Sequence, residues 1–116
     1  MVSLDKVREI AMAFEATEEA PHFEITSFRV KKKIFVTMNA VQQHITIRLL
    51  EVDQSVFYEY SPDVIYPVPN KWGKYGWTHV NLLLVEEELL REVIRLSYCI
   101  AAPKKLGDKY MMDVNL

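Results

Sequence analysis

The chain alternates between two hydrophobic periods. Leu4, Val7, Ala11 and Phe14 fall at helical spacing with Ile10 beside them, after Ser3 as a cap and Asp5 at the positive helix start. The pattern fails near Thr17, and Glu18-Glu19-Ala20-Pro21 reads as an exit loop. From His22 to Leu50 the period is two. Phe28 and Val30 alternate with Arg29 and Lys31, and Ile34-Phe35-Val36-Thr37-Met38 is rich in strand formers. Lys31-Lys32-Lys33 forms or borders a hairpin turn, and Asn39 to Gln43 is a second connection. Ile45, Ile47 and Leu49 then alternate with His44, Thr46 and Arg48, so one strand face is buried and the other wet.

Asp53 is the expected cap of a short helix from Gln54 to about Tyr60, with Val56, Phe57 and Tyr60 on its apolar side. Ser61-Pro62-Asp63 stops it, and Val64-Ile65-Tyr66 adds a brief edge strand that Pro67 and Pro69 cut short. Trp77 to Leu83 is the last strand: Thr78, Val80 and Leu82 look inward, Trp77, His79 and Asn81 outward. Glu86-Glu87-Glu88 opens a long helix with a stripe of Leu89, Leu90, Val93, Ile94, Leu96 and Ile100, ended before Pro103. Short loops between strands favour an antiparallel sheet, and the amphipathic helices must bury their stripes on one face of it. The predicted fold is a two-layer α+β sandwich: one domain over residues 1–106, followed by a tail (107–116) that packs back or meets a second subunit.

Composition changes this picture little. The chain has 116 residues, half of them apolar, enough for one core without staples. Leu82–Val85 is the longest aliphatic run, far short of a membrane span. Asp5 and Glu9 near the start argue against a secretory leader, and the single Cys99 allows no internal disulfide, so a cytosolic location is expected.

Charge changes it more. The net charge is −2, yet Ile25–Leu50 holds Arg29, Lys31, Lys32, Lys33 and Arg48 with no acid, and Val64–Val85 holds Lys71 and Lys74 with no acid. These bases fall on the hairpins and on a loop, Pro67–Val80, that carries both tryptophans. Arg29, Lys31, His44, Thr46, Arg48, Trp77, His79 and Asn81 belong to the outward face. Such a patch attracts phosphate locally, and Trp72, Tyr75 and Trp77 offer rings for stacking. The plain structural reading stands beside this one. Turn lysines are solvated and deter edge pairing, a tryptophan can cover the end of a core, and Gly73 and Gly76 can simply shape a turn. Trp72 belongs to a mobile loop, Trp77 to the start of a strand; Trp77 with Lys74 is the leading pair of candidates.

Catalytic signatures are missing. His22, His44, His79 and Cys99 lack metal-ligand spacing, and Cys99, beside the last helix's stripe, reads as a buried inert thiol. There is no phosphate-binding glycine loop, no GxSxG and no HExxH. A non-enzyme without metal or cofactor is expected.

The order helix, FRVKKKIFVTM, ITIRL, KWGKYGWTHV and a final helix with LSYCIA resembles the MmcQ/YjbR-like family of small bacterial proteins. The match runs from about Ser3 to Leu106, carried by Lys33-Ile34-Phe35, Gly76-Trp77 with Val80, and Ser97-Tyr98. The resemblance implies a CyaY-like α+β fold and a DNA-binding role through two wings, here the Lys31–Lys33 hairpin and the Lys71–Lys74 loop. It places Ser97 and Tyr98 in packing with a hydroxyl hydrogen bond. Three readings follow. The first is a DNA-binding module contacting phosphates through Arg29, Lys31, Lys32, Lys33, Arg48, Lys71 and Lys74 beside Trp77. The second is a protein- or small-ligand-binding module on the Trp77 face. The third is an enzyme built on a converging His44 and His79. Oligomeric state is left open by the pattern.

Overall fold

The alternating strands do pair as successive hairpins. A computed structural model describes residues Met1–Met111. Strands β1 (Thr17–His22), β2 (Ile25–Val30), β3 (Lys33–Asn39), β4 (His44–Arg48), β5 (Ile65–Pro67) and β6 (Trp77–Asn81) form one sheet in the order β1-β2-β3-β4-β6-β5. Every neighbouring pair is antiparallel. Lys31 and Lys32 join β2 to β3 with φ of 49° and 70°, the left-handed turn whose twist suits a two-residue hairpin. A bulge follows. Phe28 faces Val36 and Arg29 faces Ile34, leaving Phe35 as the extra residue. Phe35 and Val36 are therefore both fully buried, and β3 bends at that point.

Two helices cover one face of the sheet. Helix α1 (Leu4–Met12) is capped by the Ser3 hydroxyl, which accepts from the Lys6 amide at 3.1 Å, and buries Val7, Ile10 and Ala11. Helix α3 (Glu87–Ala101) lies over β3 and β4. Its buried stripe is Leu90, Val93, Ile94, Ser97 and Tyr98, while Leu89, Leu96 and Ile100 are only half-buried. The stripe is thus rotated from the purely aliphatic one expected, because two hydroxyl residues meet partners inside. The Tyr98 ring stacks on Phe14 at 4.7 Å and its hydroxyl donates to the Glu15 carbonyl at 2.6 Å. Burial pushes its pKa up to about 12.

Four expectations need correction. Glu18–Pro21 is no exit loop but most of edge strand β1, paired with β2 from Thr17↔Val30 to His22↔Ile25. An edge strand needs only one ladder, so it tolerates a proline and two glutamates that a central strand would reject. Helix α2 runs Glu51–Tyr60 with Leu50 at its cap, so Asp53 sits inside the first turn. Of its expected apolar side only Phe57 packs on the core; Val56 and Tyr60 are exposed, and Gln54 is the buried residue. The reason is position: α2 sits against edge strand β5 instead of over the sheet. Strand β6 ends at Asn81, where the Asn81 side chain accepts from the Leu83 amide and turns the chain.

After α3, helix α4 (Lys104–Gly107) and a 3-10 turn (Asp108–Tyr110) fold back. The Tyr110 ring packs against Phe14 and Tyr98, its hydroxyl accepts from the Glu15 amide at 3.0 Å, and Arg95 donates to its carbonyl at 2.8 Å. The expected start of the tail, residue 107, therefore falls at the end of a helix. Met112 and Val114, also assigned to the tail, lie outside the described residues.

Candidate functional site

The site begins with a gap in the sheet. The β3–β4 ladder runs from Asn39↔His44 to Thr37↔Thr46 and goes no further. Below it, β3 stays with β2 through the bulge, and β4 stays with β6 through Ile47↔Thr78 and Arg48↔Trp77. Ser97 of α3 fills the opening. Its hydroxyl accepts from the Arg48 amide at 2.9 Å and donates to the Phe35 carbonyl at 2.7 Å. One side chain thus satisfies two backbone groups that the ladder has released.

The gap opens a cleft of about 1030 Å³ beside the strand residues Thr46, Arg48, Trp77 and His79. Ile34, Thr37 and Thr46 line it from the strands, and Ser97, Ile100 and Ala101 reach it from α3. His22, Ile25 and Arg29 border one side; Arg48, Trp77, His79, Val68, Asn70 and Trp72 border the other; Lys32 and Lys33 stand at the hairpin end. No Asp or Glu lines it.

The tryptophan loop is a capped turn. The Asn70 side chain accepts from the Trp72 amide at 2.9 Å and starts a 3-10 turn over Lys71–Tyr75. Gly76 closes it at φ 100°, where a Cβ would collide with the Leu49 carbonyl oxygen. Beneath, the Gln54 amide donates to Thr78 Oγ1 at 3.0 Å and to the Gly73 carbonyl at 2.9 Å. The loop is therefore tied to β4, β6 and α2, and Trp72 is not on a free segment. Trp72 remains 52 % exposed.

The cations are held without being neutralised. Arg48 Nε donates to the Tyr75 carbonyl at 3.1 Å, and its guanidinium carbon lies 5.9 Å from the Trp77 ring centre. Arg29 Nε donates to Ser27 Oγ at 2.9 Å, and an Nη reaches the Pro21 carbonyl at 3.4 Å. Among the described residues, ion pairs engage Lys6, Arg8, Arg91, Arg95, Lys104 and Lys109. None engages Arg29, Lys31, Lys32, Lys33, Arg48, Lys71 or Lys74. Among the described residues the acids that do form ion pairs are Asp5, Glu9, Glu15, Glu19, Glu87, Glu92 and Asp108, all away from the hairpin and the loop, and Glu18 faces Arg29 across the β1–β2 ladder without an ion pair to it.

A histidine pair sits on the same face. The His44 and His79 rings stack at 4.1 Å, Tyr66 packs edge-on to His79 at 5.7 Å, and His79 Nδ1 lies 2.9 Å from Thr46 Oγ1. Burial lowers the pKa of both; His79, also repelled by His44, falls to about 4. Both rings are neutral near pH 7, so this pair adds hydrogen-bonding groups and no charge. The linkage sign follows: the unfolded histidine takes a proton near pH 6.5 and the folded one only near pH 4. Stability therefore falls as pH drops through that window. In chemical-denaturation series from pH 7 to 4, His79→Gln is expected to show a shallower decline than the wild type. Equal slopes would contradict the burial of a neutral His79.

Comparison with known proteins decides the family. The YjbR family model matches residues 12–100. The chain belongs to the YjbR family. A crystal structure of the Deinococcus radiodurans protein DR2400, with the domain DUF419, is similar in fold: the TM-score is 0.78 at 20% identity, over 95% of this chain and 88% of that one. No curated protein matches.

In this YjbR domain the predicted residues divide. Arg29, Lys32, Lys33, Arg48 and Trp77 border one cleft, with Thr46 and His79. Lys31 sits in the hairpin turn, and Lys71 covers the Trp72 ring, its Nζ 5.5 Å from the centre. Lys74 lines an adjoining groove with Gln54, Pro67 and Gly73, on the other side of Val68 and Asn70, and not the cleft that Trp77 lines. Cys99 is half-buried, its thiol 3.5 Å from the Gly107 carbonyl, and burial raises its pKa. The sequence pattern did not single out His22, Ile25, Ile34, Thr37, Val68, Asn70 and the α3 residues as lining. Thr37 was legible by extending the β3 alternation. His22 and Ile25 were hidden with β1, and Ile34 by the bulge. Among the described residues, no helix is long and apolar enough to cross a membrane, and no three metal-ligating side chains group together.

Proposed function

We propose that this YjbR domain is a non-catalytic module of the cytosol that binds nucleic acid, DNA in the first instance, in the cleft beside Trp77. The observation that carries the reading is the unpaired state of the cations, with four of them on an acid-free cleft. A protein of net charge −2 that leaves Arg29, Lys32, Lys33 and Arg48 without carboxylate partners keeps a locally positive surface for phosphate. Trp72 and Trp77 add ring faces of the kind that stack on bases. Lys71 and Lys74 contribute at most to the surrounding field.

The test is a titration of labelled oligonucleotide at several salt concentrations. With four phosphates neutralised, the log–log slope of affinity against salt is expected near about −3 on a single strand or about −4 on a duplex. Absence of binding at low salt would overturn the reading. A small phosphorylated ligand is the second reading, favoured by the concavity of the site. It requires a mononucleotide to bind as tightly as an oligonucleotide.

A further inference from the structure

Resting on the nucleic-acid reading, we infer that the cleft accepts an unpaired strand in preference to a duplex. The argument is one of depth. The exposed rim carries Lys32 and Lys33 at the β2–β3 turn, Arg48 and Trp72, and its cations can touch phosphates on any nucleic acid. Trp77 is half-buried within the concave trough, and Arg48 is exposed at its border. A duplex hides its base faces in the stack and is read by elements that project into a groove about 12 Å wide. It would rest on the lysine rim and leave the trough empty. An unpaired strand can turn a base inward, where an aromatic face is available to it.

The lining fits such a base better than it fits phosphate alone. Ile25, Ile34, Val68 and Ile100 give an apolar bed, as a nucleobase face requires and a bare anion does not. Thr37 and the Thr46–His79 pair supply uncharged polar groups at its side. Arg48, pinned by the Tyr75 carbonyl across Trp77, places charge beside the ring where the linking phosphate of a stacked nucleotide would run. The shared chemistry is that of a nucleoside phosphate, and the test separates a strand from a free nucleotide.

The experiment is fluorescence anisotropy with a labelled oligothymidylate of about eight nucleotides, within the usual single-strand site size. The same sequence annealed to its complement and thymidine monophosphate serve as competitors. The single strand is expected to bind about ten-fold or more tightly than the duplex. Trp72→Ala, a change on an exposed side chain, and Trp77→Ala are each expected to weaken strand binding about ten-fold, the effect of one lost stack. Trp77→Phe, which keeps a ring, should retain most of it, and duplex affinity should stay within about two-fold. A duplex that binds as well as the strand would overturn this inference and leave the nucleic-acid reading standing. Competition by the mononucleotide at the strand's own concentration would also overturn it, in favour of a free nucleotide. Failure of strand and duplex alike would overturn both.

Discussion

Arg48→Glu is expected to weaken oligonucleotide binding by about two orders of magnitude while leaving the fold intact. The guanidinium side chain is exposed, so its loss uncovers no core. The Arg48 amide keeps its bond to the Ser97 hydroxyl whatever side chain it carries. What changes is the cleft. A charge-assisted hydrogen bond to phosphate contributes about 1.5–3 kcal/mol, and the new carboxylate adds repulsion. Together these reach about 3 kcal/mol, or roughly a hundred-fold in affinity. The Trp77 ring also loses its cation, which is expected to shift tryptophan emission in the free protein. Equal melting temperatures and a collapsed affinity are the expected pair of results.

Ser97→Ala is expected to be the costliest small change in stability. The residue is 1% exposed, and its hydroxyl is partner to two backbone groups, the Arg48 N–H and the Phe35 carbonyl. Alanine keeps the Cβ that holds β3 and β4 apart, so the strands cannot close and pair with each other. The buried Phe35 carbonyl and the part-buried Arg48 N–H are left unpaired, at about 1–3 kcal/mol for the first and less for the second. With the part-buried group at the low end, a total of about 2–4 kcal/mol corresponds to a melting temperature lower by about 10 °C for a chain of this size. Thermal unfolding followed by circular dichroism reads it. A loss below about 3 °C would mean that the gap is held by packing and not by this hydroxyl.

Ser97 also explains where reading the sequence succeeded and where it stopped. Strand residues with regular alternation, such as Ile45, Ile47 and Val80, declared both the sheet and its wet face, because a period of two admits only one burial pattern. Residues whose role depends on a break in that pattern stayed hidden. The bulge at Phe35 moves Ile34 to the cleft side, and no periodicity announces it. The polar edge strand β1 has too few apolar residues to signal a strand, since its partner β2 supplies the pairing. Gln54 is buried because α2 leans on an edge, a tertiary fact that outweighs the apolar count of the helix. The charge map was legible, since acids and bases are segregated along the chain. Which bases share a site was not, because Lys74 and Trp77 are near in sequence while the 3-10 turn directs them into different grooves.

That separation gives the most direct test of the central claim, that the cleft and not the tryptophan loop as a whole holds the nucleic acid. Arg48→Glu and Lys74→Glu each reverse one positive charge, the first in the acid-free stretch Ile25–Leu50 and the second in Val64–Val85. Both variants should be titrated with one labelled single strand at one low salt concentration, beside the wild type. The account predicts that Arg48→Glu loses about a hundred-fold in affinity and that Lys74→Glu stays within about three-fold, as a rim charge that changes only the surrounding field. Equal losses, or a larger loss for Lys74→Glu, would contradict it.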